Sequence, residues 1–141
     1  FDSAAPNLTA ADSDQNDDVF LRDREKKTTT MASIKANGDQ TRRPSFRPRI
    51  SPDGNYVAYT SEATLVPGEL NDARDAYLWN RQTATNRWVS ADPLDYQDGD
   101  VSYAEGVSRG GTVTAFMTYS GFVAEDMNRP HSQDVYAWVQ G

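Results

Sequence analysis

Ser51-Pro-Asp-Gly-Asn-Tyr-Val-Ala-Tyr-Thr-Ser61 is the stretch whose reading decides the fold. Asp53-Gly54 supplies the positive φ angles of a tight hairpin turn, and the aromatic and β-branched run after it favours a strand. In that strand Val57 and Tyr59 point one way while Tyr56 and Ala58 point the other. Neither face is cleanly polar, so a sheet covered on both faces is implied. The stretch recurs 57 residues later as Ser108-Arg-Gly-Gly-Thr-Val-Thr-Ala-Phe-Met-Thr118, keeping Ser first, Gly fourth, Ala eighth and an aromatic ninth. A second block keeps step with it: Asp18-Val-Phe-Leu-Arg-Asp23, Asp75-Ala-Tyr-Leu-Trp-Asn80 and Asp134-Val-Tyr-Ala-Trp-Val139, at spacings of 57 and 59. Two blocks sharing one period define an internal repeat.

Working outward, each unit reads as four short strands. The first precedes the Ser-Pro-Asp-Gly box (about 46–51 and 103–108) and the second follows it (56–61 and 112–119). A polar loop then leads to the third (19–23, 76–80 and 135–139), and a turn such as Arg81-Gln-Thr-Ala84 leads to the fourth (28–33 and 86–90). Helical periodicity is nowhere sustained. Tandem four-stranded units, each covered by its neighbours, describe β-propeller blades. The expected organisation is all-β, about two and a half blades: 1–33 an incomplete first blade, 34–90 a complete second, and 91–141 a third lacking its last strand. Propellers close with ~4–8 blades, so part of a larger propeller or assembly is expected, completed from outside near residues 1–5 and 134–139.

Composition narrows the function classes. Of 141 residues, 37% are hydrophobic and 25% charged, the balance of one globular domain. A net charge of −7 argues against a general nucleic-acid or anionic-membrane surface, since both need clustered Lys and Arg. The chain has no Cys, which excludes disulfides, thiolate metal sites and Cys nucleophiles. No apolar run approaches the ~20 residues of a membrane span, and Phe1 to Pro6 lack the character of a signal peptide.

Pro48-x-Ile-Ser-Pro-Asp-Gly-x-Tyr-Val-Ala-Tyr-x-Ser61, followed by Asn71-Asp-x-x-Asp75-x-Tyr and Arg81-Gln-Thr-x-Thr85, resembles the WD-like repeats of TolB-type propellers, found in bacterial periplasmic and surface proteins. The resemblance implies an extracytoplasmic bacterial location. It is strongest in the middle unit; the third has Arg109 where the box has Pro and Gly110 where it has Asp.

Chemistry concentrates in the loops between second and third strands. Asp12-x-Asp14-x-x-x-Asp18 is matched by Glu69-x-Asn71-x-x-x-Asp75 and, with two extra residues, by Asp126-x-Asn128 leading to Asp134. Oxygen-bearing side chains so spaced suit a curled loop wrapping Ca²⁺, although the sixth-position Gly and final Glu of an EF-hand are absent. The plainer reading is that Asp and Asn cap loop amides and anchor the next strand. Gly106-Val-Ser108-Arg-Gly110 matches a nucleophile elbow, but strand character follows it where a helix is required, and Ser108 is the repeat partner of Ser51. The only His, His131, lies in a polar insertion. Arg42, Arg43, Arg47 and Arg49 crowd one short segment and suit a partner's carboxylates or acidic patch, or else neutralise the chain's own loops. These features point to a non-catalytic binding or scaffolding segment, with Ca²⁺ as its one candidate cofactor. Its partner is another protein, the rest of a parent chain or a second copy, with no nucleic acid and no membrane insertion. The rivals are the propeller portion of a hydrolase or peptidase whose catalytic domain lies outside this chain, and an accessory subunit of a larger complex.

Overall fold

A computed structural model describes residues 1–69, 73–91, 101–123 and 132–141. Among the described residues, ten strands form three antiparallel sheets. The first holds β1 (Asp2–Ser3), β2 (Asp18–Asp23) and β3 (Thr28–Met31), in that order. The second holds β4 (Ser45–Ile50), β5 (Tyr56–Ser61), β6 (Asp75–Asn80) and β7 (Thr85–Trp88). The third holds β8 (Ser102–Val107), β9 (Val113–Thr118) and β10 (Asp134–Val139), with β9 central. The chain is therefore all-β, with one sheet per repeat.

The sheets stack face to face. Val57 and Tyr59 of β5, with Tyr77 and Trp79 of β6, pack against Val19 and Ala32 of the first unit. From the same two strands Ala58, Ala76 and Leu78 face the other way, onto Ala104 and Phe116 of the third. The alternation along β5 thus buries the second sheet on both sides, which is why its strands lack a polar face. Buried polar groups tie the layers: Thr60 Oγ1 accepts from the Ala104 N–H at 3.1 Å, and Asn86 Nδ2 donates to the carbonyls of Ala32 and Ile34 at 3.0 and 2.9 Å. Arg81 pairs with Asp23 across the first two sheets.

The repeat extends to single atoms. Ser51 Oγ accepts the Tyr56 N–H at 3.0 Å, and Ser108 Oγ accepts the Val113 N–H at 2.9 Å. Ser45 and Ser61 share a hydroxyl contact of 2.8 Å, as Ser102 and Thr118 do at 2.9 Å. Asp53 is held near pKa 2, chiefly by the Ser51 hydroxyl, and it also accepts the Gly110 N–H of the next box at 2.9 Å. The third box needs no Asp to take part in that contact, because its backbone is the donor. Gly111, at φ +66°, lies against the Tyr56 ring, where an added Cβ would come within 2.5 Å of Cδ1.

Two local details depart from the sequence reading. The fourth strands end at Met31 and Trp88, short of the expected 33 and 90. Ser33 Oγ and Ser90 Oγ have taken the N–H groups of Val19 and Ala76, while the carbonyls of those residues still accept the Ala32 and Val89 N–H groups at 2.8 Å. The first strands also carry bulges, between Phe46 and Arg49 and between Ala104 and Gly106, with Arg47 at φ +59°.

Candidate functional site

The polar loop between β1 and β2 gathers three carboxylates. One oxygen from each of Asp12, Asp14 and Asp18 lies within 4.8 Å of the other two. Asp18 opens β2, and its Oδ1 accepts the Ser33 hydroxyl at 2.7 Å. Gln40 closes the group from the next loop: its Nε2 donates to Asp18 Oδ2 at 3.1 Å and to Asp12 Oδ1 at 3.3 Å, while its Oε1 accepts from Ser13. Asp14 Oδ1 accepts the Asn16 N–H at 2.8 Å, an Asx turn that curls the loop. Asp12 Oδ2 and Asp14 Oδ2 are buried without a hydrogen-bond partner among the described residues, and Asp12 as a whole is 6% exposed. Burial pushes the Asp18 carboxyl up to about 6; the hydrogen bonds from Ser33 and Gln40 oppose the shift, and the Asp14 and Asp12 charges add to it.

The second loop begins from the same spacing and ends differently. Glu69 is buried, and its Oε2 accepts the Tyr77 hydroxyl in a short bond and the Leu65 N–H at 3.3 Å. Asp75 Oδ1 accepts both Trp88 Nε1 and Ser90 Oγ at 2.8 Å. Burial pushes Glu69 up to about 7, with the Tyr77 bond opposing and the Asp75 charge adding. The Tyr77 hydroxyl is itself pushed well above its usual range, by burial first and by Glu69 next. The two donors sit opposite each other on β6 and β7, and the matching register pair on β2 and β3 is Phe20 and Met31. Those side chains fill the same kind of space and donate nothing.

Asn71, Asp126 and Asn128 lie outside the described residues. Asp134 opens β10 opposite Thr118. The four arginines take separate roles. Arg42 lines an open pocket of about 550 Å³ with Ser13, Asp14, Asn16, Lys35, Asp39 and Gln40. Arg43 donates to the Glu62 carbonyl at 3.1 Å. Arg47 pairs with Glu105 at 3.2 Å and lies 5.0 Å from the Tyr103 ring centroid. Arg49 is exposed and donates to the Pro48 carbonyl. Ser108 precedes a three-residue 3₁₀ turn, Arg109–Gly111, and its hydroxyl serves that turn. Its candidate partner His131 is outside the described residues. Gln40, Phe20 and Met31 were not singled out by sequence reasoning. The last two were legible as repeat mismatches against Tyr77 and Trp88, but an isolated Gln offered no signal.

These features define an all-β repeat protein of stacked, blade-like sheets with an acidic loop on its first unit. Among solved structures the chain is similar to TolB from Acinetobacter baumannii, with a TM-score of 0.49 and 17% identity over 89% of this chain. It spans 25% of that chain's length. No family model matches the sequence, and no curated protein does.

Proposed function

We propose that this chain is a non-catalytic binding or scaffolding segment whose principal contact surface is the outward face of the third sheet. One observation carries the reading. In the second sheet, Ala58 and Thr60 on β5 and Ala76 and Leu78 on β6 lie beneath the third sheet. One repeat later the same positions are Ala115, Met117, Val135 and Ala137. Among the described residues nothing covers them: Val135 is 73% exposed and Val139 at the strand end 64%. A sheet face with the pattern of a buried layer, with β10 at the edge of its sheet among the described residues, favours protein cover, from a partner or from the rest of a parent chain, over a small substrate. An extracytoplasmic bacterial setting is supported by the likeness of the Ser-Pro-Asp-Gly repeats to TolB-type blades. No helix among the described residues is long and apolar enough to cross a membrane.

Light scattering and hydrogen exchange test the proposal together. Expected are a mass at a multiple of 15.7 kDa, protection of β10 in that species, and loss of both in Val135→Asp. A cooperatively melting 15.7 kDa monomer with β10 amides exchanging freely would overturn it.

A further inference from the structure

We infer that the first acidic loop binds one Ca²⁺ through Asp12, Asp14 and Asp18. An acidic trio alone is no argument for a cation, since loop carboxylates often serve only as caps. The argument comes from what surrounds this one.

In the second unit Glu69 accepts from Tyr77, and one oxygen of Asp75, Oδ1, accepts from Trp88 and Ser90. In the first unit Ser33 is kept on Asp18, but Phe20 and Met31 stand where the tyrosine and tryptophan would be. Gln40 supplies one amide group for two carboxylates. What remains is a side chain more than nine-tenths buried, Asp12, whose Oδ2 has no partner among the described residues, beside the equally unpartnered Asp14 Oδ2. Leaving buried acceptors without donors is costly, and a divalent cation serves several anionic oxygens together. The donor set consists of hard oxygens, and an ion with ligands at about 2.3–2.6 Å spans oxygens up to ~5 Å apart. That span accommodates the 4.8 Å limit observed. Carboxylate oxygens with no thiolate select Ca²⁺ over the softer transition metals. Backbone carbonyls or water complete the usual six to eight ligands.

The test is calorimetric titration of CaCl₂ into the 141-residue chain, with melting in 1 mM CaCl₂ against EGTA. Expected is one site per chain, which for a ~0.1 mM dissociation constant multiplies the folded-to-unfolded ratio about tenfold at 1 mM. Asp14→Asn keeps the acceptor for Asn16 and should fold, yet lose both the binding heat and the melting shift. Glu69→Gln should keep both. Phe20→Tyr provides a donor where the second unit has one and should weaken Ca²⁺ binding while raising the melting temperature in EGTA. No binding heat with wild type overturns the inference, and so does binding retained in Asp14→Asn or lost in Glu69→Gln.

Discussion

The first and second acidic loops start from one spacing of oxygen-bearing side chains, yet the strands beside them offer Glu69 and Asp75 Oδ1 aromatic donors that Asp12 and Asp18 lack. In the second, a tyrosine hydroxyl and an indole N–H from the neighbouring strands reach Glu69 and Asp75 Oδ1. In the first, phenylalanine and methionine occupy those places, and Asp12 Oδ2 and Asp14 Oδ2 have no hydrogen-bond partner among the described residues. The lesson is that the fate of a loop carboxylate is decided by residues on the strands beside it, outside the loop motif. A spacing rule read along the loop cannot see them.

Several substitutions would sharpen or break that contrast. The largest effect is expected at Asp75→Ala, which takes the acceptor from the buried Ser90 hydroxyl and leaves Trp88 Nε1 with Ser90 Oγ alone. Urea unfolding should show a loss of about 3 kcal/mol, the range for hydrogen bonds to a buried charge, with no dependence on Ca²⁺. Asp18→Ala in EGTA should cost clearly less, because removing it relieves repulsion from Asp12 and Asp14. Equal losses would break the contrast. Tyr77→Phe, which makes the second unit resemble the first, should cost about 2 kcal/mol by leaving Glu69 with little besides the Leu65 amide.

A pH titration probes the same pair. Glu69 has a folded pKa of about 7 against an ordinary value of 4.5, so the folded state holds the proton more tightly. Its contribution to stability is present below pH 4.5 and is lost as pH rises through 7. Glu69→Gln should flatten that decline and, allowing for solvent screening, be more stable than wild type at pH 8 by about 1 kcal/mol. A pH profile parallel to wild type would discount Glu69 as the titrating group. The smallest effect belongs to Ser108→Ala, which removes the hydroxyl serving Val113 and should cost at most ~1 kcal/mol, equally in Ca²⁺ and EGTA. A Ca²⁺-dependent loss there would show that the first loop's influence reaches beyond its own sheet.

Much of the architecture was legible from the chain alone, because strand period, turn chemistry and repeat spacing are local. Asp53-Gly54 marks the hairpin between β4 and β5, although only Gly54 of the pair takes a positive φ, and β5 was readable to the residue, Tyr56 to Ser61. The stacking of sheets followed from the two-sided apolar pattern of that strand. The bulge at Arg47 was not legible, because an exposed arginine at positive φ has no local sequence cause. The arginine cluster likewise reads as one patch along the chain and resolves into four different contacts once strands and neighbouring sheets are placed.

By itself the sequence determined the repeat, the strand order within each unit and the list of carboxylates available to a cation. Which of those carboxylates lack a partner was decided only by the tertiary structure. Hydrogen-bond satisfaction depends on groups brought together across strands, and Gln40, Phe20 and Met31 come to bear on Asp12 and Asp18 only when the first sheet and its flanking loop close around them.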